Sequence, residues 1–330
     1  MSEAITFGVL GAGAWGTALA QMLASDGSRV PLWAFENEVV EAINASQRNP
    51  LYLPDQALSP NIHAVSDLAD MTACDALLVV TPAQHMRAIL AQMPAFSGTL
   101  ILCCKGMEAG TQLMMTEVAA AVQPNATLAV MSGPTFAHEV AAGLPTAVTF
   151  ACEDGALGSR LAAAIRRPTF RPYLSNDMVG AEIGGAIKNV IAIACGVVEG
   201  AGLGQNARAS LITRGFAEMT RFGLAKGGRA ETLAGLAGLG DLVLTCSSTS
   251  SRNFSLGKGL GEGQAAAALL ADRRTVAEGA HSAPVVQEAA SAMGIDMPIV
   301  AAVNQLLSGA ADVQSVISAL LSRPLRSEGH

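Results

Sequence analysis

Charge, aromatic rings and lysine are all scarce in this chain. Only 14% of its 330 residues are charged and 4% aromatic, against 51% hydrophobic. A composition this apolar needs a large core, or an apolar subunit interface, to absorb the excess. Positive charge is in deficit as well: the net charge of -7 and the isoelectric point near 5.3 argue against nonspecific attachment to nucleic acid or to anionic membrane. The six cysteines lack any Cys-x-x-Cys spacing, and Cys103 and Cys104 are adjacent, a poor arrangement for an ordinary disulfide. A reducing compartment is therefore expected. The opening MSEAITFGVLGAG has no cationic segment and runs straight into a strand pattern, so no secretory signal is expected and the location reads as cytoplasmic. The longest uncharged stretch, Val118 to His138, is interrupted by Gln123, Pro124, Asn125, Ser132 and Pro134, so no membrane span is expected. The histidines are scattered without metal-ligand spacing, and neither a Gly-x-Ser-x-Gly elbow nor a Walker loop occurs. No metal site is expected.

What is present has a clear order. Short β-rich runs at Ile5–Leu10, Val30–Phe35, Ala76–Val80, Leu100–Cys104, Thr127–Met131 and Ala147–Ala151 alternate with helical patterns such as Thr17–Ala24, Glu38–Ala45 and Thr111–Val122. Continuous apolar strands alternating with helices imply a parallel sheet covered on both faces. After about Asn176 the strand signals fade and Ala/Gly-rich helical patterns take over, clearest at Ala181–Gly196, Ala207–Phe222 and Pro284–Met293. The expected fold is α/β: a doubly wound, Rossmann-type sheet domain over 1–175, followed by an all-α domain over 176–330.

Gly11-Ala12-Gly13-Ala14-Trp15-Gly16 lies at the first strand-to-helix junction. Gly11 permits a tight turn, Gly13 lets backbone approach a pyrophosphate, and Gly16 permits close helix packing. The following helix N-terminus offers N–H groups and a positive dipole to phosphates. A purely structural glycine turn is the alternative. The second strand ends in Trp33-Ala34-Phe35-Glu36, where such folds place an acid for a ribose 2′-hydroxyl or an arginine for a 2′-phosphate. Glu36 and Glu38 are present without a nearby cation, which favours NAD over NADP, unless both acids merely open an exposed helix.

Only four lysines occur against sixteen arginines, so a lysine in an apolar setting stands out. Lys188 lies in a helix apolar on nearly all sides. Desolvation lowers the proton affinity of such an ammonium unless an anion stands near, and it can supply a proton to an alkoxide developing at a carbonyl. Lys105 follows a strand at the sheet's expected ligand-binding edge. Snorkelling to the surface is the plain alternative for each. Asp241, alone in the glycine-rich run Gly238–Thr245, suits an orienting acid or a buried helix cap. Ser251-Arg252-Asn253 offers a guanidinium fork with hydroxyl and amide donors for a phosphate monoester, or a solvated loop arginine.

Taken in order, these motifs resemble the NAD(P)-dependent sn-glycerol-3-phosphate dehydrogenases of the bacterial type. The likeness runs through the loop from Gly11, Asn49-Pro50-Leu51-Tyr52-Leu53-Pro54, Lys105-Gly106-Met107-Glu108, Ser132 to Val140, Gly184 to Gly204, Leu211 to Gly215, Gly235 to Leu242, and Ser251-Arg252-Asn253. The resemblance implies a reversible hydride transfer between NAD(P)H and dihydroxyacetone phosphate, giving glycerol 3-phosphate for phospholipid synthesis. It places Lys188 as proton donor and acceptor. Lys105, Gly133, Thr135, Asp241, Ser251, Arg252 and Asn253 fall at substrate positions, with Asn189 and Thr245 beside them. Ala14, Trp15, Lys105, Ala137, Arg252, Val276 and Glu278 fall at cofactor positions, and the resemblance also implies a homodimer. Ala14 stands where members often carry Ser, and Phe35-Glu36 replaces a His- or Arg-containing pair common in NADP-using members. Another two-domain hydroxyacid dehydrogenase, or a non-catalytic NAD-binding protein, is the alternative function.

Overall fold

The computed structural model describes residues 5–271 and 277–324. The chain divides into two compact units, one of Met1–Lys105 and Leu113–Met178, the other of Gly106–Gln112 and Val179–His330.

The first unit is built on ten strands: β1 (Phe7–Leu10), β2 (Val30–Trp33), β3 (Arg48–Asn49), β4 (Leu53–Ala57), β5 (Ile62–Val65), β6 (Ala76–Val79), β7 (Thr99–Leu102), β8 (Thr127–Ser132), β9 (Thr146–Ala151) and β10 (Phe170–Ser175). Eight form one sheet in the order β10-β9-β8-β7-β6-β1-β2-β5, while β3 and β4 pair separately. Its helices are α1 (Ala14–Leu23), α2 (Asn37–Ser46), α3 (Ala83–Gln92), α4 (Met115–Val122), α5 (Ala137–Ala141) and α6 (Gly155–Ile165). Every residue of β1, β6 and β7 is buried, as continuous apolar strands between two helical layers require.

All six expected strands form, within two residues of their expected ends. Within the eight-stranded sheet the two strands that the apolar runs did not announce, β5 and β10, are its edges, and the short β3–β4 pair was not announced either. His63 in β5 and Arg171, Tyr173 and Leu174 in β10 face solvent, so neither strand reads as a continuous apolar run. The sheet also departs from an all-parallel one, because β9 runs antiparallel to β8. Residues 133–145, with only the five-residue α5 among them, make the connection between the two. The expected helix from Thr111 begins only at Met115. Gln112 adopts φ 58°, and the Glu117 carboxylate accepts the Met114 N–H at 2.7 Å, which closes the first turn there.

The second unit is helical: α7 (Met178–Gly200), α8 (Gly204–Ala225), α9 (Ala230–Leu233), α10 (Asp241–Thr245), α11 (Arg252–Gly261), α12 (Ala266–Leu269), α13 (Glu278–Ala292), α14 (Pro298–Ser308) and α15 (Val313–Leu321). By length and hydropathy α7 qualifies as a membrane span, which the sequence reading did not anticipate, yet 89% of its apolar window is buried within the protein. It packs backbone to backbone against α11. A Cβ at Gly196 would sit 2.1 Å from the Phe254 carbonyl oxygen, and one at Gly257 would sit 1.9 Å from that of Ile193. Helix α13 starts six residues before Pro284, the expected start, because the Gly279 N–H is anchored on the Asn253 side-chain oxygen at 2.9 Å.

Glu218 of α8 is buried and accepts the Ile299 and Val300 N–H groups at 2.8 and 3.3 Å, capping α14. Burial pushes its carboxyl up to about 7, although those donors and the nearby Arg221 pull the other way. A carboxyl raised on folding stabilises the fold fully below its unfolded value, and that contribution fades as pH climbs through 7. Relative to Glu218→Gln, the wild-type protein is therefore expected to lose up to about 3 kcal/mol of stability between pH 5 and 8. Urea denaturation midpoints across that range measure it, and a constant gap between the two proteins would contradict it.

Candidate active site

The turn after β1 has the geometry its glycines predict, with one refinement. Gly11 adopts φ 112°, and a Cβ there would press on the backbone of Val80 and Thr81 at 3.2 Å. That contact lies between β1 and β6, where the strand order reverses and open α/β sheets bind ligands. A Cβ on Gly16 would fall 1.8 Å from the Gly11 carbonyl oxygen, so the third glycine is required by its own loop more than by the strand. Gly13 is the N-cap of α1; no side chain caps the helix, its first turn carries no acid, and a Cβ on Gly13 would project into open space. The Ala14 and Trp15 positions thus open an uncapped helix N-terminus suited to a pyrophosphate. The absence of a Ser hydroxyl at Ala14 leaves those backbone donors intact.

Asn49, fully buried, holds this turn in place. Its Nδ2 donates to the Ala12 carbonyl at 2.8 Å and to Thr17 Oγ1 at 2.9 Å, and Thr17 Oγ1 itself donates to Ala12 at 3.1 Å. The Asn49 Oδ1 accepts the Tyr52 N–H at 3.2 Å, and the Tyr52 hydroxyl donates to Glu36 Oε1 at 2.7 Å. Neither Asn49 nor Tyr52 was identified as a site residue from sequence. A polar residue in a Pro-containing loop carries no signal of burial until the fold closes over it. Beside Glu36, Phe35 is 79% exposed, an apolar ring left in solvent at the end of β2. Its edge meets Trp33 at a centroid distance of 6.5 Å.

Further along the same sheet, Lys105 follows β7 and Gly133 follows β8. The Lys105 Nζ donates to the Gly133 carbonyl at 3.4 Å, and Thr135 Oγ1 donates to the same oxygen at 3.2 Å. Gly133 has no room for a side chain: a Cβ would meet Val148 Cα at 3.0 Å. Ala137 opens α5, which packs on α1. Lys105, Gly133 and Thr135 thus form one cluster of the first unit.

The second unit has its own cluster. Gly184 makes it possible, since a Cβ there would be 2.1 Å from the Ala237 carbonyl oxygen. This brings α7 against a π-helical turn, Leu236–Gly240, that ends where α10 begins with Asp241. One turn along α7, Lys188 Nζ donates to Asp241 Oδ1 at 2.5 Å and to Thr245 Oγ1 at 3.0 Å. Thr245 Oγ1 donates in turn to the Asp241 backbone carbonyl at 2.6 Å. All three residues are buried, with Asp241 completely inaccessible. Asp241 is thus the nearby anion that offsets the desolvation of Lys188.

Asn189, the next residue, accepts the Asn253 Nδ2 at 3.0 Å. Since Asn253 Oδ1 also accepts the Gly279 N–H at 2.9 Å, this one amide joins α7, α11 and α13 and sets Glu278 at the start of α13. Ser251 caps α11, accepting the Phe254 N–H at 3.2 Å. Arg252, the first residue of that helix, is exposed and makes no polar side-chain contact among the described residues. Val276 lies outside the described residues. All six thiols are free, and burial pushes those of Cys74, Cys103 and Cys246 up, that of Cys74 to about 11, which suits inert core residues better than nucleophiles.

Comparison with known proteins gives a consistent picture. The family model for the NAD-dependent glycerol-3-phosphate dehydrogenase N-terminus matches residues 6–157, and that for the C-terminus matches 177–318. A glycerol-3-phosphate dehydrogenase [NAD(P)+] of Erythrobacter litoralis is 64% identical over 97% of both chains. Another, from Sphingopyxis alaskensis, is 61% identical over the full length of both. The crystal structure of glycerol-3-phosphate dehydrogenase from Coxiella burnetii superposes with a TM-score of 0.92 at 37% identity, covering 97% of this chain and 99% of that one.

Removing one partner of a buried ion pair leaves an uncompensated charge, at a typical cost of about 3–5 kcal/mol. Asp241→Asn is expected to destabilise the protein by an amount in that range, measured by urea unfolding near neutral pH. A loss below about 1 kcal/mol would mean that the ammonium finds another counter-charge.

Proposed function

The chain belongs to the NAD-dependent glycerol-3-phosphate dehydrogenase family, oxidoreductases that use NAD or NADP, and on that premise we propose how its residues divide the work. The observation that carries the proposal is the buried Lys188 ammonium, held at 2.5 Å by Asp241 and at 3.0 Å by Thr245.

A bound nicotinamide supplies or accepts the hydride. Residues of the first unit hold the dinucleotide: the turn at Gly11, Gly13 and Gly16 and the N-terminus of α1, with Ala14 and Trp15, take the pyrophosphate, and Phe35 and Glu36 take the adenosine end. Ala137 completes the first unit's cofactor contacts. Glu36 repels a 2′-phosphate, so NAD is preferred over NADP.

The substrate is glycerol 3-phosphate in one direction and dihydroxyacetone phosphate in the other. As the C–H bond forms at C2 of the ketone, its carbonyl π electrons move to oxygen, which takes a proton from Lys188 Nζ. In the reverse direction Lys188 accepts that proton from the C2 hydroxyl. Asp241 and Thr245 fix the ammonium's direction so that no reorientation is needed as charge develops. Lys105, with Gly133 and Thr135, adds charge and polar contacts to the substrate. Arg252, exposed at the start of α11, binds the phosphate with Ser251, whose hydroxyl accepts the Phe254 N–H and keeps its own proton to donate. Asn253, whose amide oxygen and one N–H are already engaged, has one N–H left to offer the phosphate. The enzyme works as a cytoplasmic homodimer supplying glycerol phosphate for phospholipid synthesis.

Absorbance at the NADH band, with purified protein and dihydroxyacetone phosphate, tests this directly. Oxidation is expected to be faster with NADH than with NADPH at equal concentration. Lys188→Ala is expected to lower kcat by about 10²–10⁴-fold while NADH still binds. A folded, cofactor-binding Lys188→Ala protein that kept most of its turnover would remove Lys188 from the proton-transfer role.

A further inference from the structure

The segment Asn49–Tyr52 touches both ends of the expected dinucleotide site, yet the chemistry above gives it no task. Tyr52 is one of only two tyrosines in the chain. Its ring packs on the hydrophobic core of the first unit, and its backbone N–H is fixed by the completely buried Asn49. Its hydroxyl is therefore a rigid donor. Glu36 lies between β2 and α2, serving as N-cap of α2 without capping it through its side chain. Its only side-chain hydrogen bond among the described residues is the one at 2.7 Å from Tyr52.

We infer that Tyr52 is a positioning residue for cofactor specificity: it orders the Glu36 carboxylate before the cofactor arrives. This rests on reading Glu36 as the acid that meets the adenosine ribose. The Tyr52 hydroxyl occupies Oε1 and leaves Oε2 to accept from ribose hydroxyls. A carboxylate ordered in advance loses no rotamer freedom when NADH binds, so binding is tighter than to a mobile one. The same bond stops the carboxylate from swinging aside to admit a 2′-phosphate, which turns a preference into rejection. Asn49 gives the arrangement its stiffness. Its amide grips the pyrophosphate-binding turn through Ala12 and Thr17 while its oxygen holds the Tyr52 backbone. The distance between turn and acid is thereby set by one short stretch of chain.

The experiment is a double-mutant cycle on the full-length protein, reading NADH and NADPH dissociation constants by cofactor fluorescence, with kcat for dihydroxyacetone phosphate reduction at saturating cofactor. Tyr52→Phe keeps the ring and its packing, and unfolding midpoints verify that. It is expected to weaken NADH binding about tenfold, to leave NADPH binding unchanged or tighter, and to leave kcat unchanged. In a Glu36→Ala background, Tyr52→Phe is expected to change nothing further, since the tyrosine acts only through the acid. A Tyr52→Phe effect equal for both cofactors, or one that persists when Glu36 is absent, would overturn the role of Tyr52. If Glu36→Ala itself left the NADH-to-NADPH ratio where it was, the reading of Glu36 would fail and the inference with it. If Glu36→Ala moved the ratio while Tyr52→Phe did not, the inference alone would fail.

Discussion

Burying an ammonium beside a carboxylate costs several kcal/mol per ion before their attraction is counted, and the second unit is arranged around meeting that cost. Lys188 cannot reach Asp241 unless α7 approaches the turn before α10 to within backbone contact. Gly184 permits this because a methyl group there would overlap the Ala237 carbonyl oxygen. Thr245 supplies the remaining piece, accepting from the lysine while its own proton goes to the Asp241 backbone. One missing Cβ, one acid and one hydroxyl thus hold a charged proton donor ready in an otherwise apolar interior.

The rest of α7 extends the same logic. A helix of 23 residues this apolar needs partners on nearly every side, and glycines at 196 and 257 let α7 and α11 meet along their backbones. Close approach brings Asn189 onto Asn253, and Asn253 onto Gly279. Three helix segments that each carry a site residue are therefore locked by a single amide. The scarcity of lysine belongs to this picture too. Where the first unit needs a structural cation it uses Arg167, whose guanidinium binds the carbonyls of Ala164, Arg166 and Leu23 and the carboxylate of Asp26.

Much of this was legible in the sequence wherever burial follows from composition. Buried strands announce themselves as apolar runs, and a glycine loop between a strand and a helix has few other uses. Lys188 and Asp241 stood out because an ionisable group inside an apolar helical pattern needs a reason. Legibility ended where burial depends on tertiary neighbours. The edge strands β5 and β10 keep polar residues on their open faces and so look like loops. Asn49 and Tyr52 lie in a segment whose composition gives no hint that one side chain will be enclosed and the other aimed at Glu36. Pro284 misled for a related reason: proline ordinarily begins a helix, but the anchoring of Gly279 starts this one earlier and carries it through.

The division of the chain has a consequence for how it is made. Gly106–Gln112 belongs to the second unit, yet it is synthesised in the midst of the first. On the ribosome this heptapeptide must wait, after the glycine loop and its neighbouring strands have emerged, for helices translated only after Met178. The first unit can gather its sheet early, whereas the second cannot be complete until the chain is nearly finished. Neither unit can be cut out as a single uninterrupted fragment, so an attempt to express the helical unit from residue 179 onward would leave seven of its residues behind.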